Sequence, residues 1–144
     1  MIVLDTNVIS VLVSATPHPN DQVVIDWVGT LPPRDFWLAS PSWAEIAYGI
    51  ALLPEGRRQT QLRAAVDAFF KVMESRIISF DAAAAQVYGE IMAARRRSGQ
   101  PMAVIDAQIA ACTRTVKATL ATRNRRDFED AGLRLVDPWD RSTW

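Results

Sequence analysis

The first sign of chemistry in this chain is a set of acidic residues placed where apolar segments end or run uninterrupted. Asp5 follows the apolar run Ile2-Val3-Leu4 and precedes Thr6 and Asn7. Glu45 is the only charged residue between Pro41 and Leu53, in a stretch otherwise made of Trp43, Ile46, Tyr48, Ile50, Leu52, Leu53 and small residues. Asp106 falls at the edge of a helical apolar stripe formed by Ile105, Ile109, Cys112 and Val116, where Ala103, Ala107 and Ala110 leave room for another element to approach. A polar segment, Thr122-Arg123-Asn124-Arg125-Arg126-Asp127, comes directly after the apolar Ala118–Ala121. Within it Asn124 or Asp127 can complete an acidic cluster, and Phe128 can anchor the segment to a core.

Each of these residues also has a plain structural account. Asp5 can cap the helix that begins near Thr6. Ser42 and Glu45 have the spacing of a capping box, although Pro41 prefers the first helical position, which makes Ser40 the cap and moves Glu45 into the second turn. Asp106 can be a first-turn acid favoured by the helix dipole. The segment after Ala121 can be a surface turn. Arg57-Arg58, Arg95-Arg96-Arg97 and Arg123 with Arg125 and Arg126 are local basic groups; they can serve phosphate contacts, or be a helix start, a helix C-terminal cation cluster and a soluble loop.

The composition narrows the choice. Sixteen basic residues balance sixteen acidic ones, so any hold on a polyanion must come from local clusters. One cysteine, Cys112, and one histidine, His18, exclude an internal disulfide, a multi-cysteine zinc site and a two-histidine mechanism. The lone cysteine suits a reducing cytoplasm, and neither a signal peptide nor a membrane-spanning stretch is apparent, so a cytoplasmic protein without membrane contact is expected. At 144 residues, 49% of them hydrophobic and 22% charged, the chain has the size and composition of a single domain over residues 1–144 with its own core.

Those acids need elements to position them. Ile2-Val3-Leu4, Phe36–Ala39, Arg76–Phe80, Ala118–Thr122 and Leu133–Val136 read as strands. Between them lie helical segments at 6–14, after the break at His18–Asp21 with Asn20 or Asp21 as cap, from Pro41 to about Leu53, from Arg57 to Glu74, after Asp81 to Arg97, and from beyond Pro101 to about Val116. Strands that alternate with helices predict an α/β protein with a parallel sheet covered on both faces. In such sheets a site forms beyond the carboxyl ends of the strands, where the strand order reverses. Asp5 and Thr122 stand at two such ends.

Taken in order, Ile2-Val3-Leu4-Asp5-Thr6-Asn7, Ala44-Glu45-Ile46-Ala47-Tyr48-Gly49-Ile50, Asp106 with Ala107 and Ile109-Ala110-Ala111, and Ala121-Thr122-Arg123-Asn124-Arg125-Arg126-Asp127-Phe128 resemble a PIN domain. They resemble more closely the VapC/FitB-type toxins of bacterial toxin–antitoxin pairs, from Ile2 to Pro138-Trp139. The resemblance implies a three-layer α/β/α sandwich around a mainly parallel sheet of about five strands, with Asp5, Glu45 and Asp106 as the family's acidic residues. Many members carry a fourth acid where this chain has Asn124, which leaves open whether Asn124 acts itself or Asp127 supplies the charge. It also implies a homodimer, a VapB/FitA-like antitoxin partner and contact with DNA only through that antitoxin; Trp43 and Trp139 are possible interface anchors.

The expected activity is that of a magnesium-dependent endoribonuclease. Gathered carboxylates raise one another's pKa unless a cation neutralises them, and an all-oxygen set suits Mg²⁺, with Mn²⁺ as a substitute. Asp5 and Asp106 are expected to hold the ion directly or through water. Glu45 holds a second ion or orients the attacking water, and Thr6, Asn7, Asn124, Thr122 and Asp127 support the site. If the acids converge, neutralising Asp5 or Asp106 should stabilise the metal-free protein. Two alternatives stand beside this one: a catalytically weak PIN-like domain that binds RNA or protein, and an aspartyl-phosphate-forming phosphatase-like protein, disfavoured because Asn7 occupies the second aspartate position of an Asp-x-Asp motif.

Overall fold

The computed structural model describes residues 1–144. Its elements in chain order are β1 (Ile2–Leu4), α1 (Thr6–Leu12), α2 (Gln22–Gly29), β2 (Phe36–Ala39), α3 (Ser40–Ala51), α4 (Arg57–Met73), β3 (Ile77–Ile78), α5 (Ala82–Arg97), α6 (Val104–Thr115), β4 (Thr119–Ala121), α7 (Arg125–Phe128) and β5 (Arg134–Val136). All five expected strands are present, the third shortened to two residues. The four-residue α7 lies where only a polar segment was expected.

Every strand pairing is parallel, in the order β3-β2-β1-β4-β5. The chain builds outward from β1 through β2 to β3, then returns to the other side of β1 with β4 and β5. The order therefore reverses between β1 and β4, and Leu4 pairs with Ala121 at that seam.

Side-chain alternation along the short strands feeds two cores. Leu4, Leu38 and Ala121 join Val8 and Ile9 of α1, Val24 and Trp27 of α2, Ile46 and Ile50 of α3 and Val66 and Phe70 of α4. Their neighbours Val3, Ala39 and Leu120 point the other way, into Ala84 and Ile91 of α5, Ala107 to Cys112 of α6 and Phe128 of α7. One apolar layer thus lies on each side of the sheet, which makes the three-layer sandwich. Ala107, Ala110 and Ala111 of α6 let α5 and the sheet approach closely around the larger Ile91 and Ile109.

Local details depart from propensity where tertiary contacts compete. Ser40 does not cap α3; Ala39 occupies the cap position, and the Ser40 hydroxyl accepts a bond from the Phe80 amide at 3.0 Å, joining the end of β3 to α3. Asp21 is the N-cap residue of α2 but makes no capping bond; its carboxylate accepts from the Trp139 indole N–H at 2.9 Å. Asp81 caps α5 as expected, accepting from the Ala84 amide at 2.9 Å.

Arg95 is 5% exposed rather than part of a solvated helix end, and its Nη1 donates to the Glu129 carbonyl at 2.7 Å and to Gln100 Oε1 at 3.1 Å. It ties the end of α5 to the chain after α7, while Arg96 and Arg97 remain exposed. Trp43 stacks on buried Phe70 with ring centroids 4.4 Å apart, yet keeps 40% of its surface open.

Candidate active site

The strand ladder runs one residue past β1 and β4. The Asp5 amide donates to the Ala121 carbonyl at 3.0 Å and the Thr122 amide to the Val136 carbonyl at 2.9 Å. These bonds fix the backbones of Asp5 and Thr122 at the carboxyl edge of the sheet, at the reversal of strand order. Asp5 is only 4% exposed, so its carboxylate needs partners, and it has three. Oδ1 accepts from the Thr6 amide at 2.8 Å, and Oδ2 accepts from the Thr122 hydroxyl at 2.6 Å and Asn7 Nδ2 at 2.7 Å. Capping and site geometry are the same arrangement here, because the bond to Thr6 starts α1 while the other two hold the second oxygen.

Glu45 joins through Thr6. The Thr6 hydroxyl donates to Glu45 Oε2 at 2.6 Å, across 39 residues of chain. No capping box forms with Ser42, whose hydroxyl is buried inside the helix layer without a partner. Asp106, in the first turn of α6, has no side-chain bond of its own among the protein groups, and its neighbours are acids. Its pKa is raised to about 6, first by burial and then by the charges of Asp5, Glu45 and Asp127. The Asp5 pKa is raised as well, by burial above all; the bonds from Thr122, Thr6 and Asn7 oppose that rise, and the Glu45 charge adds to it.

Asn124 and Asp127 stand at the other lip. The Asn124 amide donates to the Thr122 hydroxyl at 3.0 Å, which extends the bonded chain Glu45, Thr6, Asp5, Thr122 to the start of α7. Its side chain is exposed and makes no capping bond. Asp127 is exposed too and reaches the cluster by charge alone. The structure therefore brings Asp5, Glu45 and Asp106 within range of one another's charge, with Thr6, Asn7 and Thr122 in contact with Asp5 or Glu45 and with Asn124 and Asp127 at the edge.

Two hollows flank the acids. One of about 680 Å³ lies between α1, α3 and α4, with Thr6 and Glu45 at its lining and Ser10, Gly49, Arg58 and Gln61 further along. The other, of about 530 Å³, is lined by Asn124, Asp127 and neighbouring charged residues, none of them apolar. Ser10 and Gln61 were not singled out from the sequence. A signal for Ser10 existed, since it follows Thr6 by one helical turn and interrupts the apolar residues Val8, Ile9, Val11 and Leu12.

No three acids close on a single point in these side-chain conformations, so the site is not a ready-made all-protein cage. The donor set still suits magnesium, which keeps several waters and takes one or two carboxylates rather than a full shell of protein ligands. It is all oxygen, and the molecule's one ion pair, Arg114–Glu90 at 3.4 Å, involves none of these acids. Asp106 and the free oxygen of Glu45 are the open donors; Asp5 is the oriented one.

Known proteins resemble this chain in both sequence and fold. The PIN domain model matches residues 2–133. The chain is 37% identical over 141 residues to the plasmid stability protein StbB of Pseudomonas syringae pv. tomato, across 97% of this chain and 99% of that one. It is 34% identical to the VapC ribonuclease Y4jK of Sinorhizobium fredii, across 97% and 99%, and 34% identical to Toxin FitB of Neisseria gonorrhoeae, across 96% and 99%. Among solved structures it is similar to a chain of FitAB bound to an IR36 DNA fragment, with a TM-score of 0.87 and 31% identity over 97% of this chain and 96% of that one. A chain of FitAcB from Neisseria gonorrhoeae gives a TM-score of 0.86 at 31% identity over 96% and 99%.

Proposed function

The chain belongs to the PIN-domain family, in its VapC/FitB-like toxin branch, and on that premise we propose that it is a magnesium-dependent endoribonuclease, the toxin of a toxin–antitoxin pair. The observation that carries this reading is the gathering of Asp5, Glu45 and Asp106 from three distant parts of the chain, where burial and the charges of Asp5 and Glu45 hold the Asp106 carboxyl above its ordinary range and no basic side chain is paired to any of the three. Such a group is held together at neutral pH by something positive.

Asp5 and Asp106 would hold the magnesium, directly or through water, with Mn²⁺ as a substitute; when bound, the ion supplies charge for the phosphate oxygens and acidifies a water. Three donors keep Asp5 in one orientation, so it presents the same face to any ligand. Glu45 has one oxygen tied to Thr6, and its other oxygen is free to accept a proton from the attacking water or to take a second ion. Thr122 holds Asp5 in place while it receives the Asn124 amide, which couples the acid to the loop that carries Asn124 and Asp127. Attack by water leaves a 5′-phosphate and a 3′-hydroxyl, since no pair of histidines exists to promote attack by the 2′-hydroxyl.

The FitAB and VapBC complexes similar to this chain support a VapB/FitA-like antitoxin partner, with DNA engaged through that partner. Tyr48 on α3 and Leu52 at the C-cap of that helix, each 66% exposed, supply apolar area for a homodimer. No helix is long and apolar enough to cross a membrane, and cytoplasmic action is part of the proposal.

The test is to sequence the 5′ ends of RNA fragments made by wild-type protein and by Asp5→Ala and Asp106→Asn, with magnesium and with excess chelator. New 5′-phosphate ends that need magnesium and both acids support the reading. Undiminished cutting in chelator, or by Asp106→Asn, overturns it.

A further inference from the structure

Two arginines stack on tryptophan rings, Arg141 on Trp144 near the chain end and Arg123 on Trp139, and only Arg123 directly follows a residue bonded to Asp5. Arg123 is the residue after Thr122, and its amide lies 3.4 Å from Asn7 Oδ1, so its backbone is part of the wall that presents Asp5. Its side chain is exposed but not loose: the guanidinium carbon lies 5.3 Å from the centroid of the Trp139 ring. Trp139 is fixed in turn at two points. Its amide donates to Asp137 Oδ1 at 2.9 Å, and its indole N–H donates to Asp21 Oδ1 at 2.9 Å. Asp21 is the residue that gives up capping α2, and this indole bond is its side chain's use.

A guanidinium stacked on an aromatic face keeps its charge and its planar fork of N–H donors while losing rotational freedom, which suits it to recognise a phosphate. Arg123 has no carboxylate within ion-pair distance. The hollow it lines contains Arg125 and Arg126 as further cations and Asp127, Glu129 and Asp137 as opposing charges. In a molecule with equal numbers of acidic and basic residues, a fixed cation beside an acid cluster is what a polyanion needs in order to approach.

Resting on the nuclease reading, we propose that Arg123 binds a backbone phosphate of the RNA next to the bond that is cut, with Trp139 and Asp21 as positioning residues that hold its guanidinium at the lip. The bond from Asp21 fixes the indole, the indole fixes the guanidinium, and the guanidinium sets the register of the strand over Asp5 and Asp106.

The test measures cleavage of a labelled oligoribonucleotide in magnesium over a range of salt, using the full chain, with thermal melting as a folding control. Arg123→Gln should raise KM about tenfold while kcat stays within about twofold. The plot of log affinity against log salt should become shallower by about 0.7, the loss of one single-strand phosphate contact. Asp21→Ala is the telling variant, because it removes a negative charge. Charge alone would make it bind RNA more tightly, whereas loss of the indole anchor should raise KM about threefold, and Trp139→Leu should move KM the same way.

Wild-type KM and salt slope in Arg123→Gln, or tighter binding by Asp21→Ala, overturns the proposal while leaving the nuclease intact. Binding is also read by fluorescence anisotropy on the Asp106→Asn background, where cutting is blocked. If wild type cuts nothing but anisotropy still shows an Arg123-dependent salt slope, the nuclease reading falls and the phosphate contact stands.

Discussion

Asp5 and Asp106 meet at one crevice under opposite conditions. Asp5 is nearly closed off from solvent and accepts three bonds from Thr6, Asn7 and Thr122. Asp106 is half-buried, and what reaches it from the protein is the repulsion of Asp5, Glu45 and Asp127. The first wall is satisfied by protein donors, and the second has none. Preorganisation and electrostatic vacancy are thus divided between two elements, the β1 end and the α6 start, and each can be disturbed separately.

Cleavage does not separate the two walls. Asp5→Asn and Asp106→Asn should each lower the rate on the order of 10²–10³-fold in magnesium, since both remove charge from the reacting region. Equal activity of either variant with wild type in a gel-based RNA assay would mean that wall takes no part. Thr122→Val comes next. It deletes a 2.6 Å bond to a buried carboxylate, and should cost about 1–3 kcal/mol of stability and about 10–100-fold in activity. Urea unfolding at neutral pH measures the first and the RNA assay the second; a variant as stable and active as wild type would make the Asp5 wall less rigid than described.

The smaller effects separate the walls most cleanly. The Asp106 carboxyl takes up a proton more readily in the folded chain, at about pH 6, than at its ordinary value of 3.8 in the unfolded one. Its contribution to stability is therefore fully present below the unfolded value and is lost as pH rises through about 6. Asp106→Asn should raise the melting temperature of metal-free protein by roughly 2–5 °C at neutral pH and change it little at about pH 4. Magnesium should stabilise wild type more than this variant, by linkage.

Asp5→Asn should gain less or lose stability, because an amide offers one acceptor oxygen where the carboxylate receives donors on both. This refines the symmetric behaviour expected from sequence. Equal gains for both variants in a calorimetric pH series would erase the distinction between the walls. Glu45→Gln should change stability least, within about 0.5 kcal/mol, because the half-buried side chain can still accept from Thr6.

The sequence carried the strand ends, and with them the acids that follow strands or break apolar helices. Period and punctuation are local properties, so Asp5, Glu45 and Asp106 stood out and the α/β alternation was readable. What was not readable depends on strand order. Thr122 becomes the partner of Asp5 only because β4 returns to lie beside β1, and Thr6 reaches Glu45 only because α1 and α3 share a face of the sheet. Ser40 read as a cap because capping is a local preference, but the Phe80 amide, 40 residues away, took its hydroxyl instead. Arg95 read as one of three similar cations, and nothing in the triplet itself distinguishes the one that faces Glu129. Asp21 and Trp139 are separated by 118 residues, so their bond had no sequence signal at all.

The sheet ends in β3, two residues long, on one side and β5, three residues long and soon followed by Pro138, on the other. Borders this short offer an incoming strand little ladder to register on, which disfavours joining by extension of the sheet. The helical surfaces offer the larger area for recognition between chains, and side chains there can change without disturbing the scaffold that carries the acids.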